Sequence, residues 1–391
     1  MEDGVVWKAE IPGKGWSTPA VDSGRIWLTT ATATPASEAD VERRLANDPL
    51  KSMKEVAAAV QLRAICIQFD NGRVLHDILL SEVVEPDPIN PLNTYASPSP
   101  VIDGDRVYLH FGALGTWCLN STTGEKIWQR ALKVNHSVGA GSSPLISGDL
   151  LVLVCDGTDY QFIAALDKTT GEEAWRTSRP PIAADNGEFR KAYSTPVEVT
   201  YQGKKQLVVP GAQWICGYDP TSGRELWRVD HGKGFSVSPM PVVTDNGLVI
   251  FSTGYMRPEL VAIKLGGQGD VSETHVAWRS KKGAPAKPSP ILAAGGLYMV
   301  SDMGVLTKID TSSGKVMWNH RLGGNYSASP VQVGDKLIFC SHEGDVTIVK
   351  AGETYQEIAK NELEPRLMAS PVVIEDQLLM RTEFSLLRLS N

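Results

Sequence analysis

The chain of 391 residues sets 38 Lys and Arg against 45 Asp and Glu, a net charge of -7, which excludes the broad basic field that holds nucleic acid through its phosphates. No apolar run reaches the length of about 18 residues that a helical membrane span requires, and 42% hydrophobic residues with 36 Gly and 10 Trp describe a turn-rich globular body rather than a disordered polymer. Five cysteines, Cys66, Cys118, Cys155, Cys216 and Cys340, form no CxxC and no adjacent pair, so free buried thiols are expected rather than a disulfide framework or a metal site.

In chain order, Val5-Val6-Trp7-Lys8-Ala9-Glu10-Ile11 reads as a strand bearing a Trp. A start at Met1-Glu2-Asp3-Gly4 directly before it suggests an export signal absent from this chain, and hence a periplasmic or otherwise exported protein. Next comes Trp16-Ser17-Thr18-Pro19, the first of eight Ser-(x)-Pro anchors, each followed by an apolar run, a turn and a second apolar run. The anchoring prolines are Pro19, Pro100, Pro144, Pro196, Pro241, Pro290, Pro330 and Pro371. Between the first two, residues of about 31–61 depart from the repeat. Ser37 with Asp40 forms a capping-box signal with Val41 and Leu45 on one helical face, and Asp48-Pro49 opens a second helix bearing Met53, Val56, Ala57 and Val60. A helical hairpin inserted in the first copy is therefore expected. Asp70-Asn71-Gly72 then shortens the repeat turn, with Leu75 where a Trp would stand.

The remaining copies share one unit. Asp167, Gly171 and Trp175 recur as Asp219, Gly223 and Trp227, as Asp310, Gly314 and Trp318, and with Asn as Asn120, Gly124 and Trp128. The Asx side chain bonds the backbone two residues on, and Gly accepts positive φ, so each unit is a hairpin turn. The Trp four residues later needs a surface that a lone hairpin lacks, and a neighbouring copy supplies it. Trp278 fills this place in the fifth copy after the elongated turn Gly266-Gly267-Gln268-Gly269-Asp270, and the seventh copy keeps only Ala351-Gly352-Glu353-Thr354. After Pro371 the chain is too short for four strands. The first strand, with Trp7, is expected to complete the last copy and remove its open edge.

Eight anchors with about four strands each give an all-β, eight-bladed β-propeller of four-stranded antiparallel blades, a single domain over 1–391 with a small helical insertion in blade one. In such blades the turns between second and third strands share one face of the disc with the crossovers between blades. The insertion and an extension over 179–191 fall on that face, which is the candidate working face.

The pattern Ser-Pro, strand, then Asp-x-x-Thr-Gly-x-x-x-Trp resembles the PQQ-like propeller repeat of quinoprotein dehydrogenases and of BamB-like scaffold proteins of outer-membrane assembly. Trp7 to Pro19 with Ile26-Trp27-Leu28-Thr29-Thr30 is similar to exported PQQ-like propellers of planctomycete-type bacteria. The dehydrogenases hold their quinone with calcium bound by Glu, Asn and Asp, beneath an adjacent-cysteine disulfide. This sequence has no adjacent cysteines and no such trio on the corresponding strands, so no cofactor and no metal are expected, and PQQ with calcium belongs to the alternative reading only.

Residues ahead of the anchors enter the innermost strands and line the channel mouth. Trp16, Tyr95, Tyr193, Phe235 and Tyr326 precede small residues there, with His136, Lys191, Lys287 and Arg366 nearby. These rings either wall the top of the core or present a surface to an anionic sugar, a carboxylate or an acidic peptide. His110, Asp156, Asp302, His342 and Glu383 lie near the ends of second strands without HxH, HExxH or GxSxG spacing, and no catalytic residue is assigned. The sequence thus supports a monomeric, non-catalytic binding or scaffold propeller of the bacterial cell envelope, with a protein, peptide or saccharide partner. The alternative is a PQQ-dependent dehydrogenase-like or other enzyme that uses the central channel.

Overall fold

Each of the eight prolines stands immediately before the innermost strand of a sheet, from Ala20–Asp22 after Pro19 to Val372–Ile374 after Pro371. Proline has no N–H to give to a ladder, and a place just before the first strand wastes none. The residue ahead of it explains the rest of the anchor. Thr18 N donates to Ser99 Oγ at 2.8 Å, Ser99 N to Ser143 Oγ at 2.9 Å, and Ser143 N to Thr195 Oγ1 at 2.9 Å. The relay resumes from Met240 N to Ser289 Oγ, from Ser289 N to Ser329 Oγ and from Ser329 N to Ser370 Oγ. At six of the eight junctions a hydroxyl of one blade thus satisfies an amide of its neighbour, and together they make a broken collar about the axis.

The computed structural model describes residues 4–390, so Met1 to Asp3 and Asn391 lie outside the described residues. It contains eight antiparallel sheets of four strands, one of them extended by a fifth. Blade 3 is representative, with Leu145–Ser147, Leu150–Asp156, Gln161–Asp167 and Glu173–Ser178. Successive side chains on a strand point to opposite faces, so each sheet feeds two cores. In blade 2, Val107 and Leu109 pack toward Trp27 and Leu62 of blade 1, whereas Tyr108 packs toward Leu151 and Leu153 of blade 3. Such a buried cluster fills every junction, including the last: Leu379 and Leu386 of blade 8 meet Ile26 and Ile65 of blade 1.

The recurring turn behaves as its chemistry requires. Asp167 Oδ1 accepts from the amides of Thr169 and Thr170, and Gly171 sits at φ +74° while its N–H closes the turn on Asp167 O. The Trp of the preceding blade lies on that glycine. A Cβ at Gly171 would be 2.7 Å from the Trp128 ring, and one at Gly223 would be 2.3 Å from that of Trp175. The indoles also donate across the junction, Trp128 Nε1 to Lys168 O, Trp175 Nε1 to Pro220 O and Trp278 Nε1 to Thr311 O. Trp318 Nε1 reaches Gly352 O in the worn seventh copy at 3.4 Å.

The ring closes as expected. Val5–Glu10 pairs antiparallel with Ser385–Leu389, with Trp7 opposite Arg388, and supplies the outer strand of blade 8. Trp7 Nε1 donates to Phe69 O of blade 1, and its ring lies on Gly72.

Three local expectations are corrected. The insertion holds only one α-helix, Glu38–Leu45, whose cap Ser37 accepts from Asp40 N. The second helix does not form: Lys51–Met53 is a single 3-10 turn, and Ala57 and Val60 belong to the strand Ala57–Gln68. That strand pairs with Arg25–Pro35 over its length, so most of the insertion is an overlong β-hairpin. Of the apolar positions expected on that second helix, Ala57 and Val60 are buried within the strand, whereas Met53 is exposed on the 3-10 turn. Second, Leu75 does not replace the missing Trp of blade 1. Trp27, on the second strand, donates to Ser121 O, and His76 stacks on Trp27 and bonds Thr122 O. Third, Trp227 does not lie on the next blade's turn. It is buried, donates to Gln206 Oε1 at 2.6 Å and lies over Gly217. The elongated turn of blade 5 supplies the reason, because Gly269–Asp270 pairs in parallel with Trp227 and Arg228 and occupies the outer edge of blade 4.

The glycine and indole contacts predict a steep cost. Trp175→Ala should lower the free energy of unfolding by roughly 2–4 kcal/mol, and Gly223→Ala should do so by a similar amount, since it adds a strained φ to a clash. Urea unfolding followed by tryptophan fluorescence checks both, and a change under about 0.5 kcal/mol for either would remove the junction from its stabilising role.

Candidate functional site

The face made of second-to-third-strand turns and interblade crossovers is built by mutual hydrogen bonding. Tyr193 N donates to Val237 O, Ser236 N to Lys191 O and Gln213 N to Gly234 O, so adjacent crossovers brace one another. The 179–191 extension is anchored at its start by Arg179, which forks onto Asp156 (2.8 Å from Nη2) and also donates to the carbonyls of Val209 and Pro210. Burial raises the pKa of Asp156 and the facing guanidinium opposes that rise; the fork stands as an ion pair.

A cleft of about 370 Å³ opens where the insertion meets blades 2 and 3, lined by Arg43, Arg44, Asp48, Lys54, Asn135 and Glu188 among others. Its charges are largely paired. Lys54 bonds Asp48 at 2.7 Å, Lys191 pairs with Glu188, and Ser137 Oγ donates to Glu188 at 2.6 Å. Arg44 is the exception: it donates to the carbonyls of Ala57 and Pro86.

The residues expected at the channel mouth do not gather in one place. Tyr95 and His136 share a small cavity of about 30 Å³ with Phe111, Leu114 and Val134. Tyr193 donates to His136 O at 2.8 Å and packs against Gly141. Tyr326 is 1% exposed within the core between blades 6 and 7, and Lys191 is buried beneath the cleft. Lys287 lies 3.5 Å from Asp302, and Arg366 lies 2.9 Å from Glu383, which Lys14 also approaches at 3.3 Å. Trp16 is half-buried. Phe235 meets Phe189 edge-on at 4.8 Å and Tyr255 at 6.1 Å. His342 Nε2 bonds Ser327 Oγ. Each strand-end acid, Asp156, Asp302 and Glu383, therefore has a cation of its own. Among the described residues no three His, Cys, Asp or Glu side chains gather as metal ligands. The cysteines are free and buried, with the Cys66 thiol pushed up to about 12 by burial.

Sequence reasoning missed a second class of residue. Phe189, Tyr255, Met256, Met303 and Phe384 are all exposed, and all lie on loop-face connections. No periodicity signals them, because they stand in irregular segments. Opposite this face, the turns hold a recess of about 250 Å³ lined by Asp22, Arg25, Asp105 and Thr122. No helix of the described residues is long and apolar enough to cross a membrane.

Comparison with known proteins places this geometry. The family model described as outer membrane protein assembly factor BamB matches residues 2–138, 100–318 and 211–383. A tetrathionate hydrolase of Acidithiobacillus ferrooxidans is 23% identical over 256 residues, 60% of this chain and 47% of that protein. The chain thus spans about half the length of that curated relative. Among solved structures, BamB from Moraxella catarrhalis superposes with a TM-score of 0.67 at 15% identity, covering 99% of this chain and 97% of that one. The computationally designed Ika8 protein does so with a TM-score of 0.62 at 8% identity, covering 99% and 100%. At such identities these two report the fold alone.

Two buried histidines, His110 and His231, and the half-buried His136, whose ring nitrogens are sequestered, tie the fold to pH. Burial lowers His136 to about 4, against a small opposing pull from Asp159, and neither ring nitrogen has a partner. Burial likewise lowers His231 to about 4 and His110 to about 3. Between the ordinary 6.5 and these values the unfolded chain binds protons that the folded chain does not, so stability must fall as pH falls through that window. Each group contributes up to about 1.4 kcal/mol per pH unit there. His136→Gln should flatten the slope of unfolding free energy between pH 6.5 and 4 relative to the parent; an unchanged slope would show that His136 titrates normally.

Proposed function

Because the chain belongs to the family described as outer membrane protein assembly factor BamB, we propose that it is a non-catalytic scaffold propeller of the bacterial cell envelope that engages a partner protein through its loop face. The observation that carries this reading is the asymmetry of the disc. Exposed Phe, Tyr and Met side chains occur on the crossovers and second-to-third-strand turns, whereas the opposite turns present the hydrogen-bonded Asp, Thr and Gly of the repeat. Apolar groups exposed on otherwise polar loops mark interaction surfaces. A saccharide is the weaker partner, since the 370 Å³ cleft is lined by charges already paired with one another.

A second reading is favoured by one finding, the similarity to a tetrathionate hydrolase. It would place hydrolytic chemistry at the channel mouth, where Asp302, His342 and Glu383 lie on neighbouring blades. Incubation of the purified protein with tetrathionate, and separately with PQQ, calcium and an alcohol, decides it. Turnover in either mixture would replace the scaffold reading.

The scaffold reading predicts one-sided contact. A photo-crosslinking residue at Tyr255 on the loop face should give a discrete adduct in cells of the source organism, and one at Asp149 on the opposite turns should give none. Equal adducts from both positions, or none from Tyr255, would overturn it.

A further inference from the structure

One sector of the loop face, over blades 4 and 5, combines two kinds of unsatisfied group. Its apolar part is continuous. Phe189 at the end of the 179–191 extension, Phe235 on the crossover into blade 5 and Tyr255 on that blade's second turn are linked edge to face at 4.8 and 6.1 Å. Tyr255 N donates to Phe235 O and Arg257 N to Tyr255 O, which fixes the turn and leaves Met256 at its tip. Met256 is 69% exposed and holds φ +69°, a left-handed conformation that a long unbranched side chain adopts at a cost. Packing within this chain does not account for it.

The charged part surrounds the rings. Arg190, Lys233 and Arg257 have no carboxylate within 4.0 Å among the described residues, although the protein as a whole carries a net charge of -7. Arg190 donates to the carbonyls of Ala184 and Asp185. The acids nearby are otherwise engaged: Glu188 by Lys191, Glu259 by Arg279, and Asp230 by Gln213 and the Gly232 amide. Asp185 alone is exposed without a cation. On an acidic protein, cations left unpaired around an exposed aromatic cluster attract negative charge, and the rings supply the contact area that charge alone lacks.

We propose that this sector docks an acidic segment of the partner protein in which carboxylates alternate with aromatic or aliphatic side chains. The carboxylates meet Lys233 and Arg257, and the apolar groups cover Tyr255, Phe189 and Met256. The inference rests on the scaffold reading and adds to it the partner's chemistry and its place on the disc. An anionic membrane offers similar charge, but the rings stand on braced backbone as a narrow strip, which suits a single extended segment.

The test uses a fluorescein-labelled peptide of alternating Glu with Leu and Phe, a matching peptide with Lys for Glu, and phosphatidylglycerol vesicles. Anisotropy should show saturable binding of the acidic peptide, weakened by added salt. Binding should fall at least about tenfold in Lys233→Glu with Arg257→Glu, and again in Tyr255→Ala, with thermal unfolding of each variant close to the parent. Arg43→Glu with Arg44→Glu, in the cleft over blades 1 to 3, should leave it unchanged. Loss only in the cleft variant would overturn this sector while the crosslinking result at the loop face still stands for the scaffold reading. Equal binding of the basic peptide, binding of vesicles in place of the acidic peptide, or no saturable binding would overturn the inference.

Discussion

The contact on which the rest depends is an indole of one blade seated on the turn glycine of the next. Sheet edges are open by default and invite pairing with other chains. Here five of the eight outer strands are tied to the neighbouring blade by a Trp N–H to a turn carbonyl, from Trp7, Trp128, Trp175, Trp278 and Trp318. Near the axis the hydroxyl relay from Thr18 through Ser99 and Ser143 makes the same connection between innermost strands. Two rings of directional bonds, one at the rim and one about the axis, fix the angle between adjacent sheets, and the apolar wedges between them fill whatever space that angle leaves. The turn needs glycine for two independent reasons, its φ near +70° and the ring lying where a Cβ would be.

These ties spend the opposite-face turns on structure. Asp167, Thr169 and Thr170 are hydrogen-bonded to one another and overlain by a neighbour, so that face has little freedom to vary without loosening a junction. Loop-face connections carry no such duty. They accept an overlong hairpin with a helix at its tip, the 179–191 extension and an exposed Met256 without disturbing the ring. A partner-binding surface on this disc is therefore expected where the repeat places no constraint.

What was legible in the sequence follows the same division. The prolines, the Asx-Gly-Trp unit and Trp7 announce packing obligations that recur at every junction, and the order, number and closure of the blades could be read from them. The insertion was half legible. Ser37 caps its helix through local chemistry, but Ala57 and Val60 are strand residues because pairing with Arg25–Pro35 overrides any helical reading of their spacing. Trp227 escaped because its fate is decided by Gly269–Asp270 occupying its blade's edge, a long-range event with no trace in its own motif. The same holds for the loop face: aromatic residues ahead of the anchors were visible, but whether a ring points into a wedge, as Tyr326 does, or lies open beside Phe189, as Phe235 does, is set by crossovers of irregular length.

The seam between blades 8 and 1, where the first and last strands meet, adds a buried arginine to the indole contact of Trp7 with Phe69 O. The collar relay runs from Ser329 to Ser370, and the link from Ser370 onward to Thr18 is not among the bonds of the described residues. In its place Arg381, 1% exposed, reaches across to Ser17 O at 3.1 Å, with Gly15 leaving room for its Nη2. Burial without a carboxylate lowers this guanidinium to about 9. A buried uncompensated charge is a poor way to gain stability, and an apolar side chain would fill the wedge more favourably. Arg381 Nη1 bonds Ser17 across the seam, while Nε and Nη2 are buried without a partner among the described residues. Lys14 and Arg366 converge on Glu383 of the same blade, so at this seam polar groups join the Trp7 indole, whose N–H bonds Phe69 O.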